Sequence, residues 1–227
     1  TGSMTNLLFK AKSTVRTMFE RICVILKENG LAEDIFGIQF SVYRNYNSDE
    51  SLLLQTSIWE TKPDNLRVFM EKIRVSGGWG NEAVEIGLWH ANNEHAKEGI
   101  SQVILIGDAP ANTEAEVASR RTTFGEAYWG STKFDKKTFW KQEADKLKAS
   151  GVPVHAFYVE QSAKANFTEI ATLTNGRCEF LDVNSTAGAD LLTNMVSEVL
   201  LNNIGQQNGK GDGLVKAYQK KFLKSYS

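Results

Sequence analysis

The sequence predicts an α/β fold: a doubly wound, mostly parallel sheet with helices on both faces and one antiparallel edge strand. Three observations carry this expectation. Helical and strand-like segments alternate along nearly the whole chain. The strand-like run at 103–106 is continuously apolar, as strands become when helices cover both of their faces, and 154–159 is apolar but for His155 and the Tyr158 hydroxyl. Only one pair of runs, 35–43 and 52–59, is close enough in sequence to fold back as a hairpin.

Residues 5–28 read as an amphipathic helix, with Leu8, Val15, Phe19, Ile22 and Leu26 on one face and Asn29-Gly30 as its stop. The β-rich run 35–43 follows, long enough for a central strand; 45–50 is turn material, and 52–59 is a shorter strand. Pro63-Asp64 opens a helix to about Ile73. A glycine loop at 76–81 leads into a helix over 82–96, and strand 103–106 stops at Gly107-Asp108-Ala109-Pro110. Further on come a helix over 136–149, a strand at 154–159, a short helix at 166–174, a strand at 178–183 and a long helix at 188–203. Residues 1–204 thus form one domain, 205–213 a Gly/Asn/Gln-rich flexible linker, and 214–227 a short helical tail. The order leaves one gap. The chain opens with a helix that needs a strand before it, so the first strand of the sheet is expected upstream or from a partner.

Bulk properties narrow the functional classes. The 227 residues are 41% hydrophobic and 23% charged, enough apolar material for a core. The net charge of −1 gives no general pull toward nucleic acid or an anionic membrane. Lys216, Lys220, Lys221 and Lys224, interleaved with Tyr218, Phe222 and Tyr226, read as a solvated amphipathic tail. No apolar run approaches the roughly 18 residues of a membrane span. Cys23 and Cys178 lack metal or redox spacing and read as buried free thiols, which tilts localisation toward the cytoplasm, while the sequons at Asn166 and Asn184 pull the other way.

Ligands of doubly wound sheets gather beyond the carboxyl ends of the strands. Three segments converge there: Thr1-Gly2-Ser3-Met4, the loop from Ser76 to Glu82, and Gly107-Asp108-Ala109-Pro110. They offer hydroxyls, a glycine turn and a carboxylate, oxygen chemistry suited to a hard cation such as Mg²⁺. His90, His95 and His155 share no ligand spacing, and no nucleophile–base pair, nucleotide loop or paired catalytic carboxylates stand out, so no enzyme is expected.

Thr1-Gly2-Ser3-Met4 before an amphipathic helix resembles the opening of the metal-ion-dependent adhesion site of von Willebrand factor A (vWA) domains. The strand ending at Asp108 resembles their metal-site aspartate strand. The segments 40–46 and 77–84 resemble those of vWA domains found beside alpha-type kinases. The resemblance covers about residues 1–204. It implies a Mg²⁺ (or Mn²⁺) held by hydroxyls of Thr1 and Ser3, with Asp108 acting directly or through water, and a further aspartate just upstream of Thr1. The family's glycine-loop ligand falls near Gly78 or Trp79, so Asn81 or Glu82 is the substitute. It also implies a protein-interaction module that accepts an acidic side chain of a partner. The long insertion 111–135, with Arg120, Arg121, Phe124, Tyr128 and Trp129, together with Trp79, is the expected partner surface. A structural subunit with a degenerate, metal-free site is the alternative.

Overall fold

A computed structural model describes residues 2–74, 79–183 and 185–223, with the backbone alone for 2–13, 186 and 187. These residues form a mixed α/β structure: ten helices, a three-stranded parallel sheet and a separate two-stranded antiparallel ribbon. Helix α1 (Gly2–Glu28) buries Met18, Phe19, Ile22, Ile25 and Leu26 along one stripe. It stops as expected at Gly30, whose φ of 73° lets the Leu31 N–H close back onto the Leu26 carbonyl at 2.9 Å.

The predicted hairpin forms, in shortened strands. Strand β1 (Ser41–Tyr43) pairs antiparallel with β2 (Leu54–Thr56), Val42 opposite Gln55. The extended run 35–43 does not become one strand, because the Phe40 N–H goes to Ser57 Oγ (3.0 Å) rather than to a carbonyl. The register also slips by one residue between Ile38 opposite Glu60 and Ser41 opposite Thr56, as at a bulge. Asp49 accepts from the N–H groups of Ser51 and Leu52 and starts a single helical turn, α2 (Glu50–Leu53), where extended chain was expected from Leu52.

Helix α3 (Pro63–Lys72) begins at its proline, and α4 (Val84–Glu98) ends at left-handed Gly99. Strands β3 (Val103–Gly107), β4 (Val154–Tyr158) and β5 (Cys178–Phe180) run parallel in the order β3-β4-β5. The insertion after β3 is not a bare loop. It contains α5 (Glu114–Arg121), started by a reciprocal capping box between Thr113 and Glu116, and α6 (Glu126–Trp129). Helices α7 (Trp140–Ala149), α8 (Gln161–Leu173), α9 (Thr186–Gln207) and α10 (Gly213–Phe222) complete the chain.

Alternate residues of β4 sort into two cores. Phe157 joins α1, α9 and α10, whereas Val154, Ala156 and Tyr158 join α4, α7 and α8. The parallel sheet therefore carries helices on both faces, and β4 is buried along its full length. A third apolar cluster, built on Tyr46, Leu53, Trp129 and Phe134, ties the insertion to the hairpin.

Two expectations change. Helix α9 runs to Gln207, and residues 208–212 form a tight return in which the Lys210 and Gly211 N–H groups bond the Gly205 carbonyl. No loose linker separates α10 from the domain: Leu214 and Tyr218 are fully buried against α1 and α9. The hairpin, expected as an edge of the parallel sheet, is not paired with β3 among the described residues. A cavity of about 750 Å³ lies between β1 and β3. Among the described residues, chain bridges the two past their carboxyl ends: the Ala83 N–H bonds the Arg44 carbonyl (3.2 Å), the Glu82 N–H bonds the Pro110 carbonyl (2.9 Å), and the Asn112 N–H bonds the Glu82 carbonyl (3.1 Å).

Candidate functional site

The carboxyl end of β3 is the place where charge collects. Gly107 closes the strand at a close approach: a Cβ there would lie 3.0 Å from the Phe167 ring and 3.1 Å from the Tyr43 hydroxyl, and both rings would have to give way slightly to admit it. Asp108 follows directly and is half-buried, and its carbonyl accepts from Ser162 Oγ at 3.2 Å. Across from it, the bridging backbone of Glu82 sets its carboxyl in the same region. Loss of solvent, and next the neighbouring charge of Asp108, push the Glu82 pKa up to about 7, while Arg120 opposes the rise. Burial raises the Tyr43 hydroxyl too, with Glu82, Asp108 and Glu85 adding to it.

Around this pair runs a polar network in which Asn81 and Arg120, expected as a metal ligand and a partner contact, meet Asn45, Glu85, Asn112 and Glu116, which sequence reasoning did not single out. Asn112, almost fully buried, donates from Nδ2 to Glu85 Oε1 (2.8 Å) and to Asn45 Oδ1 (3.2 Å). Burial raises Glu85 to about 8, against the pull of the Asn112 hydrogen bond. Asn45 donates to the Asn81 carbonyl at 2.5 Å, and Asn81 donates from Nδ2 to Glu116 Oε2 at 2.7 Å. Arg120 locks the set together. It donates to the Asn81 carbonyl (2.8 Å), to Asn112 Oδ1 and to Glu116 Oε1 (3.0 Å), and its guanidinium lies 4.9 Å from the centre of the Trp79 ring. Only the four-residue spacing of Glu116 and Arg120 on one helix face was a readable signal for this network.

The expected metal ligands are placed as follows. Thr1 lies outside the described residues, as do Gly77 and Gly78, and Ser3 is described only as backbone in the first turn of α1. Asp108 and Glu82 are brought together. Asn81 is engaged with Glu116 and turned into the network. Among the described residues, no group of three or more His, Cys, Asp or Glu side chains is arranged to hold a metal ion. Two carboxylates of this kind suit a hard, oxygen-loving cation in donor type, and water or hydroxyls would have to complete its shell.

The expected partner residues divide by exposure. Trp79 is 38% exposed at the edge, and Phe124 is 40% exposed and stacked on half-buried Tyr128 with ring centres 4.9 Å apart. Tyr128 uses its hydroxyl to accept from the Glu50 N–H (2.9 Å). Arg121 and Trp129, by contrast, are fully buried. Arg121 binds the Glu126 carboxylate (2.7 Å) and the Phe134 carbonyl (2.9 Å), and the Trp129 indole N–H donates to the Arg121 carbonyl (2.9 Å). In this conformation they build the insertion from within, and its outward face is Phe124 and Tyr128.

The remaining sequence features are unremarkable. His155 is buried and accepts the Arg177 N–H, and both cysteines are free and half-buried. Among the described residues no helix is long and apolar enough to cross a membrane. In comparison with known proteins, the chain matches no family model and no curated protein.

Proposed function

We propose that this chain is a protein-interaction module on a vWA-like, doubly wound sheet, that it binds its partner at the carboxyl end of β3, and that it is not an enzyme. The observation that carries the reading is the placement of two carboxyls, Glu82 and Asp108, in one region past the end of β3: loss of solvent first, and next the charge of Asp108, push the Glu82 pKa up to about 7. A divalent cation such as Mg²⁺ or Mn²⁺ resolves that repulsion and leaves coordination positions for an acidic side chain of the partner. Asp108 and Glu82 would hold the ion, with the hydroxyls of Thr1 and Ser3 as further oxygens. Trp79, Phe124 and Tyr128 supply the surrounding contact area. Calorimetric titration of the chain with Mg²⁺ and with Mn²⁺ tests this. Saturable binding in the unmodified chain, lost in Asp108→Ala and weakened in Glu82→Gln, supports the metal-dependent reading; no binding to the unmodified chain overturns it.

A second reading rests on Arg120. Its guanidinium already lowers the Glu82 pKa and is held by three hydrogen-bond acceptors and the Trp79 ring. A resident cation of this kind takes the place of a metal, and the chain is then a metal-free structural subunit. In that case Arg120→Met, rather than removal of divalent ions, abolishes partner binding.

A further inference from the structure

The cavity between β1 and β3 has the walls of a missing strand. Strand β1 uses alternate residues to pair with β2: the Phe40 carbonyl accepts from Ser57 N–H and the Arg44 N–H donates to the Leu53 carbonyl. By the two-residue period of a strand, the backbone groups of Ser41 and Tyr43 point the other way, into the cavity. Strand β3 likewise faces β4 through Val103 and Gly107, whose bonds go to the Pro153 carbonyl and come from the Val159 N–H. The N–H and C=O groups of Ile104 and Ile106 therefore face the cavity from its opposite wall. No strand among the described residues pairs with either edge.

The other two walls are helix faces: α1 and α9, largely apolar, on one side, and α4 on the other, where Leu88 and Ala91 lie beside His90 and Glu94. With no strand of the described residues between β1 and β3, Ile104 and Ile106 stay half-exposed although helices flank the sheet, whereas all of β4 is buried. Thr14 Oγ1, on the cavity wall and buried, has no hydrogen-bond partner.

The width of the gap is marked where Glu82 and Ala83 cross it. That single stretch of backbone bonds Arg44 on one side and Pro110 and Asn112 on the other, and it runs parallel to the chain after β3. One strand's width thus separates the two edges there, about 4.8 Å to each neighbour.

We propose that this cavity seats one β-strand of about five residues, apolar on both faces, parallel to β1 and β3 and joined in the same polypeptide to the amino end of α1. It turns the hairpin and the parallel sheet into one continuous six-stranded sheet. Direction and source follow from α1, which packs along the cavity and delivers the chain to the start of β1. It therefore begins near the carboxyl ends of the strands, where a strand parallel to β1 terminates, and short connections between neighbouring elements are the rule.

The test compares three samples by amide hydrogen exchange and thermal unfolding: the chain alone, the chain preceded by a Val/Ile-rich strand with a Gly/Ser connection, and the chain preceded by Gly/Ser of equal length. Exchange at Ser41, Tyr43, Ile104 and Ile106 is expected to slow by roughly tenfold or more with the strand alone, with a raised Tm. Unchanged exchange at these four amides overturns the proposal. The same protection from the Val/Ile-rich strand added as a separate peptide, but not from the fused one, assigns the cavity to another chain and overturns the in-chain source. Protection by dodecanoate without protection by the strand makes the cavity an acyl-chain pocket and overturns it as well. No readout here involves a metal, so failure of the metal-dependent reading leaves this inference standing.

Discussion

Glu85 shows how one residue in the network sets a property of the folded chain. Its buried carboxyl keeps its proton up to about pH 8, while the unfolded chain releases it near the ordinary glutamate value of 4.5. Between those values the folded state binds more protons, so its contribution is complete below about 4.5, falls as pH rises, and levels off above about 8. The slope for one such group is at most about 1.4 kcal/mol per pH unit. Glu85→Gln keeps an oxygen to accept from Asn112 and removes the titration. Across this range the urea midpoint of the unmodified chain is expected to fall relative to that of the variant, because Glu82, raised to about 7, titrates in both and cancels in the difference. Asp108 was legible in the sequence because a carboxylate directly after a buried strand is a local pattern. Glu85, Asn45 and Asn112 were not. Their partners are 27 to 67 residues away, and no local spacing announces a bond of that range. The burial of Arg121 was equally hidden, since arginine is ordinarily a surface residue and its carbonyl partner at Phe134 comes from a later turn.

Among the secondary elements, those read best from the sequence have long, one-sided or continuous apolar patterns: α1, α4, β3, β4 and α9. Misread segments were decided by a single side chain bonding to backbone. Ser57 shortens β1, Asp49 makes α2, and the Thr113–Glu116 box starts α5 inside what read as a loop. The insertion gives a test with two arms. Trp129→Ala removes the ring around which Tyr46, Phe124 and Tyr128 pack edge-on and is expected to cost about 3–5 kcal/mol in chemical denaturation. Phe124→Ala, at an exposed ring, is expected to leave stability within about 1 kcal/mol while weakening partner capture. Equal losses of stability in both would remove the distinction between the insertion's frame and its outward face.

Taken together, the chain is held at its two ends by α10. The Tyr218 hydroxyl donates to Asn194 Oδ1 (2.7 Å), which also accepts from Arg21 (2.9 Å), so α1, α9 and α10 meet at one amide oxygen. Tyr218→Phe is expected to cost about 1 kcal/mol and Tyr218→Ala about 3–5 kcal/mol, read as shifts of one shared unfolding transition. A separate early transition of α10 would show that it is only loosely attached. The parallel arrangement and the two helix layers were legible because apolar runs and helix stripes are local. The break between hairpin and sheet was not, because edge pairing depends on whether chain lies between two strands distant in sequence.

Gly107 has one more consequence. Strand β3 is apolar at each position before it, so sliding it one step along β4 would exchange one greasy side chain for another at little hydrophobic cost. What opposes such a slide is that it brings Ile106 into the space between the Tyr43 hydroxyl and the Phe167 ring, where even a methyl group would press on both. The absence of a side chain at one position is thus the index mark that holds the strand in step and keeps Asp108 opposite Glu82.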